Sequence, residues 1–162
     1  MNTQKNTVIH SNLIQADFSI FYIEAEKGKN VMAAFDNSEF EKYKSEVQKR
    51  WGKTDAYKEH AEKTKNYGKD KWSSLASDMN DIFGEFAVCM KNGDAPESEH
   101  AQDLVKKLQD HITANYYHCT KEIVFGLGQM YVADERFKYN IDKHGDGTAA
   151  FARDAIAHYS KR

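Results

Sequence analysis

Between Asp70 and Asn92 the apolar residues Trp72, Leu75, Met79, Ile82, Phe83, Phe86 and Met90 recur at three- and four-residue steps, the period that lines one face of an α-helix. The period returns in Ala101, Leu104, Val105, Leu108, Ile112 and Tyr116, and again in Ile123, Leu127, Met130 and Tyr131. Pro96 is the only proline in the chain, so the residue that breaks helix interiors is nearly absent. The expected fold class is all-α. With 162 residues, 40% of them apolar, one core in one compact domain is expected.

Local chemistry places the helix ends. Ser38 and Glu41 form a capping box ahead of the stripe Phe40, Tyr43, Val47 and Trp51, which Gly52 closes. Thr54 opens a second helix from Asp55 to about Asn66, and Gly68 follows it. Asp70 is read as the cap of the third helix, and "NGD" as its end. A fourth runs from Ser98 to about His118. Thr120 caps the fifth, Asp134 starts a shorter sixth, and the last begins at Thr148. The stretch "FSIFYI" near the N-terminus fits a helix or a strand equally well.

The totals exclude several function classes. A net charge of -2 supplies no basic field for nucleic acid. Charged residues make up 30% and the mean hydropathy is -0.80, and no run approaches the roughly 18 apolar residues of a membrane span. "MNTQKNTVIH" lacks the pattern of a signal peptide. A cytoplasmic protein with no membrane and no direct nucleic-acid partner is expected. Cys89 and Cys119 stand on separate predicted helices without CxxC spacing, so neither a zinc site nor a disulfide framework is read. Both are expected as small buried hydrophobes.

Three short motifs invite chemistry and lose it on inspection. "DKHGDG", Asp142 to Gly147, imitates the start of a calcium loop, but the twelfth position is Arg153, a cation where a bidentate Glu belongs. It is read as a helix-ending turn. "GLGQM", Gly126 to Met130, lacks the third glycine of a dinucleotide fingerprint and is read as a close helix contact. His111, Asn115 and His118 share a helix face beside Cys119. A nucleophilic Cys119 would need an orienting group and an oxyanion donor that the sequence does not name, and a haem ligand at His111 would need an apolar pocket. The plain reading is a partly solvated helix end. No metal, cofactor or catalytic residue is assigned.

"RWGKTDAYKEHAEKTKNYGKDKW", Arg50 to Trp72, is the odd segment. Its only large apolar groups between the two tryptophans are Tyr57 and Tyr67, too little burial to offset an ordering cost of roughly 1 to 2 kcal/mol per residue. Trp51, Tyr57, Tyr67, Trp72, Tyr116, Tyr117 and Tyr131 carry flat faces with polar tips. They suit the grip of a large, partly apolar ligand, and equally the rim and core of a helical bundle.

That segment, followed by "YYHCTKEIVFGLGQMYVADERFKYNID" and "FARDAIAHY", resembles in order and spacing the TipAS antibiotic-recognition domain, over about Val31 to Tyr159. The resemblance implies a globin-like helical domain without haem that binds cyclic thiopeptides and other bulky antimicrobials. It also implies a segment before the third helix that is loose without drug and folds over it. In that family the domain usually forms the C-terminal half of MerR-type activators, whose DNA-binding part residues 1–30 do not match. Some members carry a second reactive cysteine, and its position here is Gly126.

On this reading residues 1–30 are an extension, and 31–162 a drug-binding domain with lid helices at 38–67 and core helices at 70–160. The ligand-binding residues expected are Trp51, Tyr57 and Trp72 from the lid side, and His111, Asn115, Tyr116 and Cys119 from the core side. The chain is expected to be a monomer that sequesters an antimicrobial without catalysis. The alternatives are a regulatory subunit that pairs with a protein partner through Val8 to Ile23, and an enzyme that inactivates the drug.

Overall fold

The computed structural model describes residues 55–162. Within them the chain forms six α-helices and no strand: α1 (Asp55–Thr64), α2 (Lys69–Lys91), α3 (Glu99–Asn115), α4 (Lys121–Ala133), α5 (Glu135–Asp142) and α6 (Thr148–Ser160). No described helix is long and apolar enough to cross a membrane. The capping box at Ser38, the residue Trp51 and the "FSIFYI" stretch lie outside the described residues.

The helix starts follow the expected caps closely. Thr120 Oγ1 accepts the Ile123 N–H at 3.2 Å, and an Asp134 carboxylate oxygen accepts the Arg136 N–H at 2.9 Å. Asp70 differs. α2 begins at Lys69, so Asp70 lies inside the first turn, where its charge faces the positive end of the helix dipole instead of capping it. The fourth expected helix is shorter than its apolar stripe. α3 stops at Asn115 because side chains take over the backbone beyond it: Thr113 Oγ1 accepts the Cys119 N–H at 3.1 Å, and Gln109 Nε2 donates to the Cys119 carbonyl at 2.8 Å. His118 therefore leaves the helix face it was expected to share with His111 and Asn115.

The described residues form two compact units, one of 55–78 with Ala114–His118, the other of Met79–Thr113 with Cys119–Arg162. The second holds a dense core of Ile82, Phe83 and Phe86, Val105, Leu108 and Ile112, Val124 and Leu127, Ile141 and Ile156, all at most 3% exposed. Each such side chain stabilises the fold by about 1.5 to 3 kcal/mol. Tyr131 belongs here too, fully buried and edge-on to Phe83 at 5.3 Å. Of the two readings of the aromatic residues, Tyr131 takes the core one.

Within the second unit α4 packs chiefly on α6. A Cβ at Gly128 would lie 3.1 Å from Ile156 Cγ2, which is the close contact read from "GLGQM". "DKHGDG" is a turn, as expected, and it has a further task. Gly147 precedes α6 with φ +88° and has no side chain to cap it. The cap comes from the preceding helix, where Asp142 Oδ1 accepts the Ala149 N–H at 2.9 Å while Oδ2 receives Lys138 Nζ at 3.1 Å. Asp142→Ala is expected to lower stability by about 1 to 2 kcal/mol, read by urea unfolding. A change within 0.3 kcal/mol would show that water caps α6 as well.

Candidate functional site

α1 is polar by composition, and His60 is its buried residue. Tyr57, His60 and Thr64 stand at i, i+3 and i+7 on α1, so the helix does carry an inward stripe, built of amphipathic groups, and Tyr67 follows just past its end. The chain then turns through the Tyr67 N–H to Thr64 carbonyl bond at 2.9 Å. α2 opens with the Trp72 N–H on the Gly68 carbonyl at 3.1 Å.

This turn assembles a stack of rings. His60 lies face to face with Tyr116, centroids 5.9 Å apart and planes 17° from parallel. Trp72 stacks on Tyr116 at 6.3 Å and 18°, and Tyr67 meets Trp72 edge-on at 5.4 Å and 70°. Tyr117 flanks His60 at 6.5 Å. Offset and edge-on pairs of this kind contribute about 0.5 to 1.5 kcal/mol each beyond area burial. Polar contacts fix the geometry: the Tyr67 hydroxyl donates to the Asn115 carbonyl at 2.8 Å, and Glu59 Oε1 accepts the His118 N–H at 2.9 Å.

The electrostatics of the stack are set by dryness. Burial lowers the His60 pKa from its usual 6.5 to about 4, so the imidazole is neutral at pH 7. Its Nε2 is buried and has no hydrogen-bond partner among the described residues, a state that costs free energy until a partner arrives. Burial, reinforced by Tyr67 and Asp78, pushes the Tyr116 phenol above its ordinary range. Trp72, Tyr57 and Tyr67 remain partly exposed, while Tyr116 and Tyr117 are buried. The unit thus shows solvent an aromatic rim over a floor that includes an uncharged, incompletely bonded imidazole.

Of the residues expected to bind ligand, the structure brings Trp72 and Tyr116 into direct stacking. Asn115 joins them through its carbonyl, and Tyr57 lies half-buried on α1, one turn from His60. Trp51 is outside the described residues. His111, half-buried on α3, and Cys119 belong to the second unit. Cys119 is 2% exposed, and burial pushes its thiol up to about 12, which leaves almost no thiolate at neutral pH. His60 was missed in the sequence. The signal was its place on the Tyr57–Thr64 stripe, hidden by the charged residues around it.

Residues 43–159 match the family model of the TipAS antibiotic-recognition domain. The HTH-type transcriptional activator TipA of Streptomyces coelicolor is 39% identical over 122 residues, which cover 75% of this chain and 48% of that protein. The HTH-type transcriptional activator mta of Bacillus subtilis is 38% identical over 117 residues, covering 72% and 44%. The chain thus spans about half the length of the curated relatives it matches. Among solved structures, TipAS of a thiopeptide antibiotic multidrug resistance system from Streptomyces lividans, in complex with nosiheptide, aligns with a TM-score of 0.69 and 39% identity. That alignment covers 82% of this chain and 90% of that one. The match of sequence, helical fold and extent agree, and the chain belongs to the TipAS antibiotic-recognition domain family.

Proposed function

We propose that this chain is a non-catalytic receptor for thiopeptide-like or similarly bulky, partly apolar antimicrobials, gripped by Tyr57, Trp72, Asn115 and Tyr116 around His60, with Trp51 as a further contact. The observation that carries the reading is the ring stack His60–Tyr116–Trp72 with Trp72 partly exposed. Such a surface offers flat area at low entropic cost to a ligand made of planar rings. The neutral His60 Nε2 adds a polar group that a heteroaromatic ligand could satisfy. The nosiheptide complex of a relative 39% identical to this chain supports the ligand class.

Native mass spectrometry and calorimetry with nosiheptide test the proposal. A one-to-one complex is expected, with a negative heat-capacity change, and the ligand should be recovered unchanged on denaturation. No complex at micromolar concentrations overturns the ligand class, and a chemically altered ligand overturns the non-catalytic reading. The protonated Cys119 argues against covalent capture. Cys119→Ser is therefore expected to keep affinity within about tenfold, roughly 1.4 kcal/mol. A mass adduct that this variant abolishes would reverse the assignment.

The names of the relatives, transcriptional activators, favour a second reading, in which ligand binding is relayed to a partner in transcriptional control. Size-exclusion chromatography with and without nosiheptide separates the two. A monomer in both states removes a relay through self-association.

A further inference from the structure

The turn between α2 and α3 is built around an unusual pair. α2 ends in a Schellman motif: the Asp94 N–H donates to the Cys89 carbonyl at 3.2 Å and the Gly93 N–H to the Met90 carbonyl at 3.1 Å, with Gly93 at φ +83°. This motif folds the residue after glycine back over the residue five positions earlier, and the two commonly make an apolar contact. Here they are Asp94 and Cys89, and the buried thiol donates to Oδ2 at 3.4 Å. Ser98 Oγ accepts the Ala101 N–H at 3.2 Å at the start of α3. That helix start sets His100 with Nδ1 3.0 Å from the same Oδ2. The sulfur, carboxylate oxygen and imidazole nitrogen all lie within 4.8 Å of one another.

A hydrogen-bonded turn with a surface ion pair would be worth little and needs no thiol beneath the carboxylate. Thiolate, imidazole and carboxylate together are the donor set of a borderline divalent ion. We propose that Cys89, Asp94 and His100 form a mononuclear site for a divalent metal of the zinc class, which clamps the end of α2 to the start of α3. In a tetrahedral zinc site neighbouring donors stand roughly 3.5 Å apart, so the three converge by little more than about an ångström. The side chains of His100 and Asp94 are 53% and 36% exposed, which leaves the fourth position open to water.

Without an ion, burial and the neighbouring Asp94 push the Cys89 thiol up to about 11. On binding, the S–H bond breaks, its electron pair goes to the metal and the proton to solvent. Asp94 turns its oxygen from the thiol to the ion, and the charges of thiolate, carboxylate and divalent cation cancel. Sequence reading missed the site because its Cys-x4-Asp-x5-His spacing resembles no zinc motif and converges only through the Gly93 turn.

The test is titration of tag-free, chelator-treated full chain with cobalt(II). One equivalent should raise a thiolate-to-cobalt charge-transfer band in the near ultraviolet with release of one proton, and zinc(II) should displace it. Cys89→Ser should abolish the band, and Cys119→Ser should keep it. Should Cys89→Ser fail to fold, the surface variant His100→Ala decides, with an expected loss of cobalt affinity beyond the roughly 10- to 100-fold that outer-shell partners are worth. A wild-type protein with no thiolate band, a band that follows Cys119 in place of Cys89, or an unchanged affinity in His100→Ala overturns the proposal.

Discussion

Lowering the pH from 7 to 4 is expected to remove about 3 kcal/mol of stability from the unit around His60. Folding lowers this pKa from 6.5 to about 4, so between these values the unfolded chain binds the proton that the folded chain refuses. Stability is full above 6.5 and is lost as the pH falls across the window, because a charged imidazole buried beside Tyr116 and Trp72 would be a cation out of water. Urea unfolding at each pH, followed by aromatic circular dichroism, measures the loss. Carboxylates titrate near the lower end of the same range, so the comparison with His60→Phe isolates the imidazole. That variant keeps a flat ring in the stack and should lose most of the slope between pH 6.5 and 5. Equal slopes in the two proteins would show that His60 takes up its proton without strain.

The second large effect is on binding. Trp72→Ala is expected to weaken nosiheptide binding by about 2 kcal/mol, roughly thirtyfold. Trp72 is the partly exposed face of the stack, held at one edge by Tyr67 and from beneath by Tyr116. A rigid, pre-oriented indole loses little entropy on contact, and its removal leaves a hole that the ligand cannot fill. Trp72→Phe, which keeps a ring of smaller area, should fall between the two. Calorimetry reads the affinity, and urea unfolding followed by far-ultraviolet circular dichroism confirms that the helical fold is intact. Wild-type affinity in Trp72→Ala would move the ligand away from the ring stack.

How far the sequence could be read depends on how local the deciding interaction is. The Thr120 and Asp134 caps act on N–H groups two or three residues away, and both helix starts were legible. The end of α3 was not, since it is set by Gln109 and Thr113 reaching a backbone ten and six residues on. The site divides in the same way. Trp72 and Tyr116 were nameable as amphipathic aromatics on helical stripes. His60 was not, because its burial is decided by Tyr116, 56 positions later in the chain, and a histidine among lysines and glutamates reads as solvated. The thiol of Cys89 was read correctly as buried, but the carboxylate and imidazole above it come from a turn geometry that spacing alone does not reveal.

The approach of α4 to α6 at Gly128 joins two positions into one heritable character. A methyl group at 128 would meet three carbons of Ile156 within 3.3 Å, so any enlargement there calls for a reduction on the facing helix. Across descendants of this sequence, residues 128 and 156 should drift together, small against branched or intermediate against small. Gly128→Ala and Ile156→Ala, the latter removing Cγ2 and Cδ1 from the contact, would then cost less in combination than the sum of their separate costs, by about 0.5 to 3 kcal/mol, a debt that either lineage could cross only through the other.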